Sequence, residues 1–316
     1  MGGAVDAPKV EEAAERYDII HLNYTTNSLG LVGDLADACK RNRCKLVVNV
    51  DYAVDMWPSN IQHPSLFLRE LDKADLVFHV EPRGAELLRM GLKREVPVIP
   101  HPIDTDSLIA WATKAEERAP MLNSVIHRYE MQVSEPWLLG KGLKDACGRE
   151  DFTSGVSVCA KEVPEDMVSR FTYMFDWVRP QMQYSRWVQH LALSMIVFDS
   201  YNFSSFGRVV GECAALAVPC VGHTNCFAQR VLYPDLVFDR SDQDGKLNAM
   251  LALLNEPEYY KQTCRGAFKR VRKYFGYGPT RKTLLEHLGM EEEENASGDN
   301  SQADRGVEDS GRVSAA

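Results

Sequence analysis

The residues best suited to chemistry lie in MIVFDSYNFSSFGRVVGECAALAVPCVG, Met195 to Gly222. Ser204, Ser205, Phe206, Gly207 and Arg208 sit there between an apolar, β-branched run and a stretch of small residues at helical spacing. Met195 to Phe198 reads as a buried strand, Arg208 to Leu216 as a helix, and Val218 to Val221, with Pro219 at its opening, as the next strand. Both serines are N-cap candidates, and Gly207 falls in the first turn. The N–H groups that open a helix have no partner inside it, so they attract phosphate and other anions. Strand, loop, helix and strand in so few residues suggest a βαβ unit, whose crossover is normally right-handed. The loop then lies at the carboxyl end of the first strand, where open α/β sheets bind ligands. The predicted chemistry is capture of an anion.

Such a loop needs a sheet and helices to hold it. Asp18 to Leu22, Lys45 to Val50, Ala74 to Val80 and Val96 to Pro100 are short apolar runs that read as strands. Gly30 to Lys40, an amphipathic segment from Ser65 to Lys73, and Glu81 to Met90 read as the helices between them, with Pro82 near N1, where its missing N–H costs little. After a polar connection from Ile103 to Pro120 the alternation restarts. SVIHRY, GVSVCA, YMFDWV and LVFD supply strand-like runs, and helices are expected near Pro136–Cys147, Gln181–Leu193, Asp242–Asn255, Pro257–Tyr274 and Thr280–Leu288. Alternating strands and helices predict parallel sheets with helices on both faces. The expectation is α/β, as two Rossmann-like doubly wound domains, 1–105 and 106–290, with a cleft between them and a tail over 291–316.

Bulk properties agree with that division. A chain of 316 residues has room for two cores, and 45% hydrophobic with 26% charged residues is ordinary for a globular protein. No run approaches the ~20 apolar residues of a membrane span, and the first residues lack the apolar stretch of a signal peptide. The expectation is therefore a cytoplasmic protein, with peripheral membrane contact left open. The net charge of −9 is concentrated in the tail: from Glu291 onward eight acids face two arginines, leaving about −3 for the body. That Ser-, Gly- and Asp-rich tail has little to bury and is expected to be disordered. Neither part has the basic domain of a nucleic-acid binder. The eight cysteines show no CxxC and are expected to be buried free thiols.

Two stretches resemble a known family. ADLVFHVEPRGAELLRMGLKREVPVIPHPIDTDSL is similar to the end of the N-terminal domain in GT-B glycosyltransferases of the retaining family four type (glycosyl transferases group 1). There a strand, a helix, a second strand and a turn of proline, Asn or His, a small residue, Ile or Val, and Asp lead into the second domain. FSSFGRVVGECAALAVPCVG resembles that family's donor-site motif. The likeness spans most of residues 18 to 275. It implies that Ser205, Phe206 and Gly207 offer N–H groups to a nucleotide-sugar's diphosphate and that Glu212 binds the ribose, as a carboxylate does strongly in a dry cleft. It also implies a basic pair on the leaving diphosphate. Arg128 fits the arginine position, Lys141 in GKG is the nearest lysine, and Arg208 is a replacement cation; preorganised contacts of this kind are worth several kcal/mol.

The sequence departs from the family's pattern in places. The first Glu of the motif is Ser204 here, with Asp199 and Asn202 as possible substitutes. A helix-like lead of some seventeen residues stands where the family has three strands and an acceptor loop, so the N-terminal domain reads as truncated. Val50 and Asp51 occupy the family's His-Asp position; Asp51 could face the cleft or cap a loop. The DTD at Asp104–Asp106 falls in the inter-domain turn, where an acid is usual, and is not read as a metal site. His101, His127 and His190 lack ligand spacing and are read as packing or capping residues. Neither GxGxxG nor a P-loop is found, which disfavours dinucleotide and ATP chemistry.

The resemblance implies a glycosyltransferase of hexosyltransferase type. It would move sugar from a nucleotide-diphosphate donor to a hydroxyl acceptor (sugar, lipid or protein) with retention, without metal or other cofactor. Two other readings stand beside it: a degenerate GT-B protein that binds nucleotide or glycan without turnover, and an epimerase or hydrolase on the same fold.

Overall fold

The structure is a computed structural model that describes residues 7–24, 29–61, 63–112, 118–127, 133–159, 164–201 and 203–290. Its first sheet is parallel, in the order β1 (Ile19–Tyr24), β2 (Lys45–Val50) and β3 (Leu76–His79). Helices α1 (Ala7–Arg16), α2 (Leu29–Asn42), α3 (Trp57–Asn60), α4 (Pro64–Leu71) and α5 (Pro82–Leu92) accompany it. KLVVNV is buried from Leu46 through Val50, which is why β2 reads as a nearly continuous apolar run. On one face Leu46, Val48 and Val50 pack with Val32, Phe67, Leu71 and Leu88 from the helices. On the other, Val47, Phe78 and Val80 join Ile99, Ile103 and Leu108 in a core that continues into the second sheet.

The second half holds α6 (Thr105–Ala112), β4 (Ala119–Ile126), α7 (Ser134–Cys147), β5 (Thr153–Val158), α8 (Glu165–Met174), β6 (Trp177–Arg179), α9 (Tyr184–Leu193), β7 (Ser194–Asp199), α10 (Arg208–Ala215), β8 (Cys220–His223), α11 (Phe227–Leu232), β9 (Val237–Phe238), α12 (Gln243–Asn255), α13 (Pro257–Phe275) and α14 (Tyr277–Leu288). Its strands are all parallel in the order β6-β5-β4-β7-β8-β9, the doubly wound arrangement whose direction of growth reverses between β4 and β7. The end of α13 reaches back to the connection between the sheets, where Phe275 accepts a hydrogen bond from the Ile103 N–H at 2.6 Å.

Three local expectations are corrected. Val96–Pro100 makes only an isolated bridge, His79 to Val98, because Pro97 and Pro100 have no N–H to extend a ladder. The segment from Ile103 to Pro120 contains α6, opened by Asp104, whose carboxylate accepts from the Ser107 N–H (3.0 Å) and hydroxyl (2.7 Å). In YMFDWV, Tyr173 and Met174 close α8, and the strand begins only at Trp177. The acids Glu165 and Asp166 in the first turn of α8 and its buried Phe171 support that helix. All eight cysteines are free, as expected, and Cys39, Cys44, Cys213, Cys220, Cys226 and Cys264 are buried. Among the described residues no helix is long and apolar enough to cross a membrane. The tail, 291–316, lies outside the described residues.

Candidate functional site

Both sheets turn carboxyl ends of their strands toward one cleft of about 470 Å³. Asn23, Asp51, Tyr52, His79 and Glu81 line it from the ends of β1, β2 and β3. His127 and Asp199 line it from the ends of β4 and β7, the switch point at which helices leave toward opposite faces. His101, Pro102 and Ile103 join the two walls, and Tyr201 and Ser204 to Arg208 complete the second one.

The loop before α10 differs from the expected cap. Gly207, not Ser204 or Ser205, is the N-cap, in the left-handed conformation at φ 88°, ψ 60°, with no side-chain cap bond. Glycine is required there twice over, by the positive φ and because a Cβ would overlap the Cys226 Sγ. Among the described residues the opening N–H groups of α10 are consequently left without a capping side chain. The Phe206 ring is buried against His101 and Phe275, at centroid distances of 5.4 and 5.2 Å. Its carbonyl accepts from the Ala228 N–H at 2.8 Å. Among the described residues the Ser205 N–H reaches only the Asn225 carbonyl, at 3.4 Å, and its buried Oγ has no partner.

Ser204 is used differently. Its N–H donates to Asp55 Oδ2 at 2.8 Å and its hydroxyl to Glu81 Oε1 at 3.3 Å, so it latches the second wall to the first. Glu81 is itself the N-cap of α5, accepting from Arg83 N (3.0 Å) and Gly84 N (2.9 Å). Two carboxylates thus hold Ser204, which also lines the cleft.

Glu212 lies in the second turn of α10 and is 2% exposed. It accepts from the Tyr184 hydroxyl (2.7 Å), Trp187 Nε1 (2.8 Å) and Arg208 Nε (3.1 Å). Both its oxygens are engaged and it does not line the cleft, so its direct effect is to fix Arg208, whose guanidinium also lies 5.3 Å from the Tyr184 ring centre. Burial, and then the Glu212 charge, push the Tyr184 phenol up to about 12, so it stays a donor.

Two histidine–carboxylate pairs face the cleft, where the sequence reading assigned packing or capping. His101 Nε2 is 2.9 Å from Asp51 Oδ1, and His127 Nε2 is 3.1 Å from Asp199 Oδ1. His101 follows the Val96–Pro100 run by one residue and His127 lies within the SVIHRY run, one residue past the end of β4, and that position was the available signal. His190 does pack, edge-on to the Trp177 ring at 4.8 Å. His79 is buried between the Glu81 N–H (3.1 Å) and the Tyr52 carbonyl (3.2 Å), which suits a neutral ring with its proton on Nε2. Burial lowers its pKa and keeps it so.

Of the other expected residues, Arg128 and Asn202 lie outside the described residues. Lys141 does not line the cleft: it is exposed on α7 and lies 5.8 Å from the Trp137 ring centre. It sits some seven residues into that helix, about 10 Å along its axis from the start. Among the described residues, no group of three or more His, Cys, Asp or Glu is placed to hold a metal ion.

Parallel sheets with helices on both faces, and strand ends opening on a shared cleft, give this chain the GT-B fold. Solved structures agree. A UDP-forming α,α-trehalose-phosphate synthase from Burkholderia xenovorans superposes with a TM-score of 0.68 at 15% identity, over 90% of this chain and 76% of that one. HepE from Anabaena, solved in complex with UDP and glucose, gives 0.63 at 15% identity, over 90% and 81%. An E. coli trehalose-6-phosphate structure bound with UDP-2-fluoro glucose gives 0.65 at 13% identity, over 90% and 76%. No family model matches the chain, and no curated protein matches it in sequence.

Proposed function

We propose that the chain is a glycosyltransferase that takes a nucleotide-diphosphate sugar in this cleft and moves the glycosyl group to a hydroxyl acceptor. One observation carries the reading: the uncapped start of α10, with Arg208 beside it, opens on the switch-point cleft opposite the strand ends of the first sheet. The diphosphate would lie on the Phe206 and Gly207 end of that helix, where N–H groups and helix dipole favour negative charge. Arg208, held by Glu212, supplies a fixed positive charge, and Arg128 joins it by the sequence resemblance. The structures of HepE with UDP and of the E. coli protein with UDP-2-fluoro glucose support a uridine donor as the first to try. Retention of configuration, a hexosyl group and independence of metal follow from the resemblance and complete the proposal.

A second reading is favoured by the Ser204 latch and by the position of Lys141: a GT-B protein that binds nucleotide without turnover. Asp55 and Glu81 occupy Ser204, and among the described residues no lysine lines the cleft. Calorimetry with UDP and GDP, followed by a screen for transfer and hydrolysis of their sugars, separates the readings. Transfer to a hydroxyl acceptor supports the enzyme; nucleotide binding with no consumption of any donor selects the second reading. Absence of any nucleotide binding removes both.

A further inference from the structure

We infer that the first-sheet wall of the cleft accepts an uncharged polyol, a sugar bearing neither phosphate nor carboxylate; this rests on the glycosyltransferase reading. The charged groups are divided between the walls. On the second, Asp199 is paired with His127 at 3.1 Å, and the start of α10 and Arg208 provide positive potential. On the first, the lining side chains Asn23, Asp51, Tyr52, His79, Glu81 and His101 include two carboxylates, and among the described residues no lysine or arginine. Arg83 is the nearby cation in sequence, but it pairs with Asp55 at 3.1 Å and does not line the cleft.

The polar groups on that wall suit vicinal hydroxyls. His101 holds Asp51 through Oδ1, and Asp51 Oδ2 makes no hydrogen bond among the described residues, so an oriented acceptor is left. Asn23 receives the Asn49 amide on its Oδ1 at 3.3 Å, which directs its own NH2 elsewhere as a donor. An oriented carboxylate beside an oriented amide can receive and give one hydrogen bond each to neighbouring hydroxyls, and Tyr52 adds an aromatic ring. A phosphate on this wall would meet Asp51 and Glu81, with no lysine or arginine among the wall's described lining residues. Like charges across an interface discriminate against the wrong partner.

The test is ligand-observed NMR titration of the full chain, saturated with UDP, with glucose, galactose, mannose and N-acetylglucosamine, each against its own 6-phosphate. At least one neutral sugar should bind, about tenfold or more tighter than its phosphate. Asp51→Lys should reverse that order, and Asp51→Asn should weaken the neutral sugar while narrowing the gap; Asp51 is exposed, and a melting curve checks each variant's fold. A phosphorylated sugar binding as tightly as its neutral form overturns the inference, as does a protein that binds none of the four neutral sugars. UDP binding is measured separately. Its failure strikes the nucleotide reading alone, and the same sugar comparison without UDP still decides the wall's preference.

Discussion

Replacing Gly207 by alanine probes the geometry on which the anion site depends. Two costs add. The backbone sits at φ 88°, ψ 60°, and holding a residue with a Cβ in a left-handed conformation costs about 1–2 kcal/mol. The new methyl would also overlap the buried Cys226 Sγ and touch the Ala228 Cβ at 3.4 Å; overpacking of this sort costs about 1–3 kcal/mol. Gly207→Ala should therefore destabilise by about 2–5 kcal/mol. Cys226→Ala removes the sulfur and leaves only the backbone cost, so the two substitutions should couple favourably by about 1–3 kcal/mol. Urea unfolding of the parent, both single variants and the double variant measures this directly. A Gly207→Ala cost below about 0.5 kcal/mol would refute the left-handed N-cap. Strict additivity would refute the contact with Cys226. If the loop also presents the amides, the single variant should bind UDP more weakly than the parent.

Other outcomes follow from the surrounding contacts. Arg208→Ala should lower UDP affinity about tenfold and flatten its dependence on salt; unchanged affinity in calorimetry would remove Arg208 from the site. Glu212→Ala leaves the Tyr184 hydroxyl, the Trp187 N–H and Arg208 without their acceptor, and should cost about 2–4 kcal/mol in denaturant unfolding, with Glu212→Gln milder. His190 is held down to about 4 by burial and then by Arg179, against about 6.5 in an unfolded chain. The unfolded state binds the proton first, so stability is full above about pH 6.5 and falls as pH drops toward 4, by on the order of 3 kcal/mol. His79 and His21 are depressed too, so the informative quantity is the difference between the parent and His190→Phe across that window; parallel curves would refute it.

Much of the fold was legible because its signals are local. KLVVNV, the DIIHL run and SMIVFD are short apolar segments bounded by polar residues, and each became a parallel strand. The helix at 208–216 and the Pro82 start of α5 were readable from spacing and from proline's preference for a first turn. Failures came where a neighbour elsewhere in the chain decided. Val96–Pro100 is the exception, since its own prolines confine a run of strand composition to one bridge. The serines at 204 and 205 are good caps by residue type, but Asp55 and Glu81 claim Ser204, and the bridge of Ser205 to Cys226 carries the chain past both to Gly207.

From sequence alone came the α/β class, the βαβ unit around 195–222 and the place of its loop at a strand's carboxyl end. Periodicity and helix-start chemistry act over a few residues, so one chain suffices to read them. Tertiary structure alone decided the partners: His101 with Asp51 fifty positions away, His127 with Asp199, and Ser204 with Asp55 and Glu81, two carboxylates that follow strands of the first sheet. It also turned Glu212 inward onto Tyr184 and Trp187 rather than into the cleft. A side chain's partner depends on where distant strands end once the sheets have packed, and no local pattern of residues encodes that distance.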